Sequence, residues 1–253
     1  MREPLTAIVT TFNEAGNIEA CLRSVEWADE IIVVDSFSTD ETLKLAGPLA
    51  TRVLSHEYAS PAAQKNWVIP QAEHRWVLIV DADERVSPPL AAEIRELLQN
   101  RPAFDGYVIR RLNHFHGKPI LHGGWGRDRV LRLFDREKGR YQDRLVHEEV
   151  DVKGRVSGLR HHLVHDTFRG FDAYMRKVER YTRWGAEDLR RRGKRASPAD
   201  FVLRPTFRFL KRYILQAGFL DGAEGLLISG IDMCSVFLKY ARLWEMDRLE
   251  RKR

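Results

Sequence analysis

Two carboxylates one residue apart, in Asp81-Ala82-Asp83, are the side chains of this sequence that point most directly to chemistry. They follow the apolar run at residues 76–80, which predicts a buried strand. Carboxylates at a strand end can hold a hard divalent cation, whose remaining positions go to diphosphate oxygens and water. Such an ion would neutralise the charge that grows on a departing diphosphate, so the leaving group needs no protein acid. An Asp-x-Asp turn is also a common solvated loop, and the surrounding elements decide between the two interpretations.

The elements before this pair alternate between strands and helices. Apolar, β-branched runs predict strands at residues 5–10, 30–35 and 52–54, and spacing and capping signals predict helices at residues 17–26 (with Asn17 as N-cap), 42–45 and 62–72. Strands that are apolar throughout are typical of a parallel sheet covered on both faces, where ligands lie outside the carboxyl ends of the strands. Those ends carry Thr11, Asn13 and Glu14, then Asp35 and Ser36, then Asp81 and Asp83. The sequence therefore predicts a ligand site at this edge.

The second half of the chain has a different pattern. Residues 107–111 and 130–134 predict strands of a mixed region around the Gly-rich loop at 122–126, and helical spacing begins near residue 170. We expect an α/β catalytic domain over residues 1–168 and a basic helical extension over residues 169–253. The extension is basic because residues 151–253 hold 23 of the 42 Lys and Arg but only 13 of the 36 Asp and Glu, which leaves 19 against 23 for residues 1–150. This asymmetry favours an anionic partner for the back half of the chain.

Cysteine content and the start of the chain indicate the compartment. Cys21 and Cys234 are too few for a disulfide framework, which favours a reducing, cytoplasmic setting. The chain enters a strand-like run at once, and we expect no signal peptide.

Three segments together resemble the family-2 inverting glycosyltransferases with the GT-A fold: IVTTFNE at residues 8–14, VVDSFSTD at 33–40 and LIVDADE at 78–84. The resemblance implies a mostly parallel, Rossmann-like sheet and a nucleotide-sugar donor. It implies that Asp35 contacts the ribose or base, that Asp81 contacts the ribose or the metal, and that Asp83 is the principal ligand of Mg²⁺ or Mn²⁺. The nucleotide-sugar site implied in this way comprises Thr10, Thr11, Asn13, Glu14, Asp35, Ser36, Lys65, Asp81, Ala82 and Asp83. Many members of the family carry a second acid at the position of Ser36, and a uridine donor is the favoured expectation.

An inverting displacement needs a carboxylate that takes the proton of the acceptor hydroxyl. The His147-Glu148 pair resembles the Val-His-Glu motif of a bacterial subgroup that builds the lipopolysaccharide inner core. Glu148 is the expected base, with Glu149 and Asp143 as alternatives. The resemblance implies transfer of a hexose, with glucose favoured, from a UDP-sugar onto an inner-core sugar hydroxyl.

Further segments extend the resemblance to this subgroup. Lys65, in AQKN at residues 63–66, could meet the donor phosphate, and residues 123–134 resemble the acceptor side, with Arg127 in place of an expected proline. His165 could add a metal ligand, although a lone histidine is more often structural. The Gln-x-x-Arg-Trp motif of processive synthases does not occur, since Arg180 stands three residues before Arg183, which favours a single addition.

The basic tail predicts a peripheral contact with an anionic membrane. Phe207, Leu210, Tyr213 and Ile214 share one helical face that Arg208, Lys211 and Arg212 flank. A helix pair packed on the catalytic domain is the alternative, and residues 226–244 contain Asp232 and Lys239 and are poorly suited to span a bilayer. We see no nucleic-acid recognition motif and expect no nucleic-acid partner.

Other classes of function stay open on the sequence alone. The acceptor could be another lipid-linked or surface polysaccharide, and the chain could bind nucleotide without transferring a sugar. A nucleotidyltransferase would carry a Gly-rich, basic phosphate loop after the first strand, where this chain has the acid Glu14.

Overall fold

The computed structural model describes residues 2–142, 149–166, 168 and 170–250. Its strands are β1 (Leu5–Thr11), β2 (Glu30–Asp35), β3 (Arg52–Ser55), β4 (Trp76–Asp81), β5 (Glu84–Val86), β6 (Gly106–Phe115), β7 (Lys118–Pro119), β8 (Arg129–Asp135), β9 (Gly139–Tyr141), β10 (Val150–Val152) and β11 (Val156–Asp166). Its α-helices are α1 (Ile18–Ser24), α2 (Thr42–Ala46), α3 (Pro61–Val68), α4 (Pro88–Gln99), α5 (Phe171–Arg191), α6 (Pro198–Leu210) and α7 (Ala223–Glu250).

One large sheet has the strand order β3-β2-β1-β4-β8-β6-β11-β5, with β7 added to β6. Strands β3, β2, β1 and β4 are parallel, as predicted, and β8 joins β4 in antiparallel orientation. A separate two-stranded sheet consists of β9 and β10. The order places β1 at the centre of the parallel strands, so its carboxyl end lies between those of β2 and β4.

Alternate residues of the parallel strands enter two different cores. Ala7, Val9 and Val33 pack with helices α1 and α4 on one face, whereas Ile8 and Ile32 pack with α3 on the other. Successive side chains of a strand point to opposite faces, so a strand buried on both faces must be apolar at every position. This requirement explains the continuous apolar runs and confirms the predicted sheet.

Two helical predictions needed correction. The helix expected over residues 62–72 ends as an α-helix at Val68 and continues as a 3₁₀ turn over Ile69–Gln71, because Pro70 has no N–H to donate to the α-helical ladder. Asn17 does occupy the N-cap position of α1, but its side chain makes no capping hydrogen bond. It donates instead to Glu14 and accepts from Arg85.

Among the described residues, 2–111, 129–142 and 149–165 form one compact unit, and 112–128, 166, 168 and 170–250 form a second. The second unit has two small hydrophobic cores. One consists of Phe115, Ile120, Phe168 and Ile228, and the other includes Val236 and Leu243 of α7. None of the helices among the described residues has an apolar stretch long enough for a membrane crossing.

Candidate active site

The strand register brings the three predicted motifs together at one edge of the sheet. Thr11 pairs with Asp35 of β2, and Thr10 pairs with Asp81 of β4. Both β2 and β4 therefore end beside the last two residues of β1. This is the arrangement that the sequence predicted for the carboxyl ends of the strands.

Hydrogen bonds connect the loop after β1 to the loop after β2. The backbone N–H of Asn13 donates to the hydroxyl of Ser38 (2.8 Å), and the Asn13 side-chain oxygen accepts from the N–H of Thr39 (2.8 Å). The N–H of Glu14 donates to the hydroxyl of Thr42 (2.7 Å). Asn13 has a φ of 52°, a left-handed conformation that asparagine tolerates better than most residues. These hydrogen bonds hold the two loops together. Asn13 therefore stabilises the loops in addition to any contact it makes with a ligand.

Two predicted contacts with the nucleotide, Asp35 and Ser36, are buried and bonded within the protein. The Asp35 carboxylate accepts from the Ser38 N–H (2.8 Å) and from the Ser38 hydroxyl (2.5 Å). The Ser36 hydroxyl accepts from the side-chain amide of Gln64 on α3 (2.6 Å). The aromatic rings of Phe12 and Phe37, in contrast, are exposed in these loops. An apolar ring that the fold leaves in water beside a ligand site is a candidate platform for a base.

Asp81 lies between two buried cations. One carboxylate oxygen is 3.0 Å from the ammonium of Lys65 and accepts from the hydroxyl of Thr10 (3.0 Å), while the other pairs with the guanidinium of Arg132. Desolvation alone would raise the pKa of Asp81, but Arg132 and then Lys65 hold it well below its ordinary value. The carboxylate is therefore ionised, and it fixes two cations at the end of β4.

Glu84 adds a second carboxylate to this cluster, and this one is fully buried. It accepts from the backbone N–H of Asp81 (3.0 Å), from Arg132 (3.1 Å) and from Arg111 (3.3 Å). Lys65, Arg111 and Arg132 thus bring three cations together at the end of β4. Cations held in this way suit the negative charge of a diphosphate.

The sequence interpretation included Lys65 and missed Arg132, Arg111 and Glu84. For Arg132 a signal was available, because it interrupts the apolar run of β8 at residues 130–134 and is buried there. A cation within an apolar strand requires a carboxylate partner in the interior. No local pattern in the sequence identifies this partner.

Asp83 faces the imidazole of His165, with 3.4 Å between carboxylate oxygen and Nε2. The pairing of β5 with β11 produces this approach, since His165 lies opposite Glu84. Within the part of the chain that the structure describes, no group of three or more His, Cys, Asp and Glu side chains could hold a metal ion. Mg²⁺ is usually bound through one or two carboxylates and takes its other ligands from substrate phosphates and water, and Asp83 offers one such carboxylate, with the His165 ring beside it.

The expected base, Glu148, and the alternative Asp143 lie outside the described residues. The chain on either side of them is described. Gln142 donates its N–H to the carbonyl of Glu149 (2.8 Å), and Tyr141 exchanges two hydrogen bonds with the side chain of Asn66 on α3. Asn66 follows Lys65, whose ammonium lies 5.3 Å from the centre of the Tyr141 ring. Tyr141 therefore lies beside Lys65 and Asn66.

The second unit contains a pocket of its own, with a volume of about 310 Å³. His122 and Arg127 line it together with Gln216 and Leu215. The His122 ring pairs with the buried carboxylate of Asp221 (2.9 Å), which also accepts the backbone N–H groups of Leu121 and His122. The loop requires glycine at residue 126, because a Cβ there would lie 1.8 Å from the carbonyl oxygen of Leu121. The pocket is thus formed by a closely packed loop that presents a histidine and an arginine.

Comparison with known proteins shows the family. Residues 6–152, more than half of the chain, match the family described as Glycosyl transferase family 2. The chain is 28% identical over 254 residues to LpsC of Rhizobium meliloti, a lipopolysaccharide core biosynthesis glycosyltransferase, in a match that covers 98% of this chain and 94% of LpsC. It is 27% identical over 266 residues to an uncharacterized glycosyltransferase of Rickettsia bellii, covering 98% and 88%. The chain belongs to glycosyl transferase family 2.

Solved structures show the same fold. The mannosyltransferase PcManGT of Pyrobaculum calidifontis, in complex with GDP-Man and Mn²⁺, matches with a TM-score of 0.55 and 19% identity, over 97% of this chain and 88% of that one. Residues 1–349 of TarS from S. aureus, in complex with UDP-GlcNAc, match with a TM-score of 0.51 and 14% identity, over 98% and 92%. The GT-A-like α/β fold class that the sequence predicted is confirmed.

Proposed function

We propose that this glycosyltransferase moves a hexose, with inversion, from a UDP-sugar onto a sugar hydroxyl of the lipopolysaccharide inner core. The observation that carries the proposal is the cluster at the end of β4, where Lys65 and Arg132 flank Asp81 and where Asp83 faces His165. A diphosphate leaving group needs positive charge at this point, and the cluster supplies it. The match with LpsC over nearly the full length of both chains supports the choice of acceptor, and glucose is the sugar favoured by the subgroup resemblance.

The donor would lie across the carboxyl ends of β1, β2 and β4. Its nucleoside would occupy the connected loops around Asn13 and Asp35, beside the exposed rings of Phe12 and Phe37. Its diphosphate would face Lys65 and the surrounding cluster. TarS was solved with UDP-GlcNAc and PcManGT with GDP-Man, so the fold accepts either base, and our choice of uridine rests on the resemblance.

A divalent cation, Mg²⁺ or Mn²⁺, would be held by Asp83 and His165. When bound, the cation would neutralise the charge of the departing diphosphate. The carboxylate of Asp81 is already paired with Lys65 and Arg132, which supports a role in placing these cations against the donor. That role is compatible with the predicted contact of Asp81 with the ribose or the metal.

The acceptor hydroxyl would lose its proton to Glu148 as its oxygen attacks the anomeric carbon. In a single displacement the new bond forms on the face opposite the departing diphosphate, which inverts the configuration. Tyr141, a described residue that precedes Glu148 in the chain, contacts Asn66 and lies near the ammonium of Lys65, and this supports the assignment.

The acceptor would bring negative charge, since inner-core sugars carry phosphates and carboxylates. The pocket of the second unit, with His122 and Arg127, is our candidate for one such anionic group. We further propose that the reaction takes place at the cytoplasmic face of the inner membrane, where this lipid-linked acceptor would be assembled.

Calorimetric titration with UDP, GDP and CDP, each with and without Mn²⁺, tests the donor half of the proposal. We expect binding of UDP that is strongest with Mn²⁺. Incubation of the enzyme with UDP-glucose and truncated lipopolysaccharide then tests transfer, with the product identified by mass spectrometry. Binding of UDP without transfer to any lipopolysaccharide or other lipid-linked acceptor would favour a nucleotide-binding module, and binding of GDP alone would overturn the choice of donor.

A further inference from the structure

The second unit exposes an unusual number of large apolar side chains along one stretch of chain. Eight of them within residues 202–220 are between 47% and 73% exposed: Val202, Leu203, Phe207, Leu210, Ile214, Leu215, Phe219 and Leu220. We call these eight side chains the 202–220 surface. Single exposed apolar residues are ordinary, whereas a continuous set marks an interaction site.

The first part of this surface is a helical stripe. Leu203, Phe207, Leu210 and Ile214 follow one another at intervals of four, three and four residues, which places them on one face. The stripe differs from the face expected from the sequence, because Tyr213 is not on it. Tyr213 stacks on Phe209 and contacts the ring of Phe219.

The opposite face of α6 is already covered. Phe201 contacts the ring of Phe237 on α7, Pro205 is buried, and Arg204 lies over the ring of Tyr240. The helix therefore has a packed side and an apolar side that faces water. Packing within the described part of this unit does not account for the second side.

The second part of the 202–220 surface lies on a π-helical turn and the chain reversal that follows it. After α6 the chain forms a π-helical turn over Lys211–Leu215, and Ala217 then takes a left-handed φ of 57°. Gly218 follows where a Cβ would lie 2.8 Å from the carbonyl oxygen of Arg212, so this reversal needs glycine. Phe219 and Leu220 follow this reversal and are exposed to solvent, and the Phe219 ring contacts Tyr213, which precedes Ile214 of the stripe. A fixed turn that displays apolar side chains differs from a frayed end that happens to expose them.

An apolar groove of about 500 Å³ adjoins this surface. Its walls come from α6 and α7 and include Phe201, Val202, Pro205, Met233 and Phe237, with Cys234 also on the lining. Val202 belongs both to the groove and to the 202–220 surface, so the two are continuous. A groove of this character accommodates an alkyl chain.

The charge of this region indicates which kind of partner fits the 202–220 surface. Residues 190–220 contain nine Lys and Arg and a single acid, Asp200. Five of the arginines pair with acids of the same unit, and the cations that remain for an anionic partner are Arg191, Lys194, Arg195 and Lys211. Two copies of such a face would repel each other, whereas apolar side chains bordered by cations suit a bilayer with anionic headgroups.

We infer that the 202–220 surface inserts into the interface of an anionic lipid bilayer and that the α6–α7 groove receives a lipid acyl chain. Leu203, Phe207, Leu210 and Ile214 would enter the acyl boundary, and Lys211 and the basic run at residues 190–195 would meet the headgroups. This inference goes beyond the proposed transfer reaction, and it is tested by binding alone.

The two cysteines of the chain provide a direct test. Cys21 is fully buried, and desolvation with help from Glu84 and Asp83 raises the pKa of its thiol well above the usual value, whereas Cys234 is exposed in the groove. A water-soluble maleimide should therefore label Cys234 selectively. Vesicles of phosphatidylglycerol and phosphatidylcholine should slow this labelling, and vesicles of phosphatidylcholine alone should slow it less. Labelling at an unchanged rate on protein that sediments with the anionic vesicles would overturn acyl-chain binding in the groove.

Substitution tests the surface itself. The double variant Leu203→Glu/Phe207→Glu should weaken sedimentation with the anionic vesicles by about 100-fold, since burial of each large apolar side chain contributes roughly tenfold. Leu249→Glu is the matched control, because Leu249 is 60% exposed at the far end of α7 and Phe207 is 61% exposed. Both proteins should retain the UDP affinity of the parent, which separates this test from the donor proposal. Equal vesicle binding by all three proteins, or a dimer in light scattering that the double variant abolishes, would overturn membrane docking.

Discussion

At the scale of single residues, Arg132 is the side chain on which the candidate site depends most. It lies in the apolar strand β8, and its guanidinium bonds both Asp81 and Glu84. The buried carboxylate of Glu84 and the partly exposed one of Asp81 each lose a positively charged partner if Arg132 is removed. A buried ion pair contributes little net stability compared with apolar packing, but removing one partner costs much more.

Arg132→Met should therefore lower the free energy of unfolding by about 3 kcal/mol and weaken UDP binding. Urea unfolding and calorimetry measure the two effects. Arg140→Met is the control, since Arg140 is exposed on the neighbouring strand β9 and should tolerate the change. A variant as stable as the parent would show that the cluster is not the structural centre of the site.

Substitutions of Asp83 and His165 test metal binding separately from the stability of the fold. Asp83→Ala and His165→Ala should each reduce the enhancement of UDP binding by Mn²⁺ by about tenfold or more, because loss of one ligand weakens a two-ligand site. Titrations with and without Mn²⁺ measure the effect. Glu26→Ala removes an exposed carboxylate after α1 and should change neither titration. An undiminished Mn²⁺ effect in both site variants would assign the metal to other residues.

Glu148 should be needed for the chemical step and not for donor binding. Glu148→Gln keeps the size of the side chain and removes the proton acceptor, so transfer should fall by at least about 100-fold while UDP affinity stays near that of the parent. Glu149→Gln, the neighbouring change, should leave most of the activity. The reverse outcome, with Glu149→Gln inactive and Glu148→Gln active, would move the base by one residue.

At the scale of elements, Glu93 connects the long strand β11 to helix α4. Its carboxylate accepts the N–H groups of Arg160 and His161 and pairs with the His161 ring at 2.8 Å. Desolvation by itself would raise the pKa of Glu93, but the bonds from Arg160 and His161 outweigh it and lower the pKa. Because β11 also carries His165, this attachment helps to position one end of the proposed metal site.

A carboxylate whose pKa is lower in the folded state stabilises the fold above its unfolded pKa and loses that contribution as the pH falls through the folded value. Glu93→Gln should therefore cost about 1 kcal/mol at pH 7, with the difference from the parent shrinking between about pH 5 and pH 3. Thermal unfolding across this range measures it. Glu96→Gln, on the exposed face of the same helix, should follow the parent at every pH. A constant deficit of Glu93→Gln across the range would contradict the assignment.

The sequence predicts those elements whose structure is determined by their own residues, and it predicts less well those that depend on distant contacts. Strands β1, β2 and β4 could be predicted because they are continuous apolar runs, which are typical of a sheet covered on both faces, and the polar residues of the site come where these runs end. Strands β6 and β11 are longer and partly exposed, so their alternation gave weaker signals. The π-helical turn after α6 depends on tertiary contacts around Arg212 and Gly123, which no spacing in the sequence reveals.

At the scale of the whole molecule, our proposals assign different tasks to the two compact units. The first contains the three motifs and belongs to the part matched by the family. The second contains the His122–Arg127 pocket, the groove and the 202–220 surface. This unit combines residues 112–128 with the C-terminal helices, which lie about a hundred residues further along the chain. The ion pair of Lys118 with Glu224 (2.8 Å) is an example of their contacts. Such long-range pairs leave no local pattern in the sequence.

Arg127 gives a test of this division of tasks. Arg127→Ala should raise the KM for a phosphorylated acceptor several-fold, by about 1 kcal/mol of lost charge-assisted bonding, and leave kcat and UDP affinity unchanged. Steady-state assays with phosphorylated and dephosphorylated acceptors measure it, and only the first should respond. Arg129→Ala, an exposed arginine two residues further on, is the control. Equal effects on both acceptors would rule out recognition of an anion by this pocket.

The hydrogen bonds of Asn13 with Ser38 and Thr39 also connect donor binding to the folding of the first unit. The two loops that would receive the nucleoside approach each other only after β1 and β2 have paired in register, so an unfolded chain has no such cavity. A donor that binds only the folded form adds its binding free energy to the stability of the first unit, about 2.7 kcal/mol when the ligand is present at a hundred times its dissociation constant. The supply of nucleotide sugar would then influence how many copies of the enzyme survive in the cell, as well as how fast each one works.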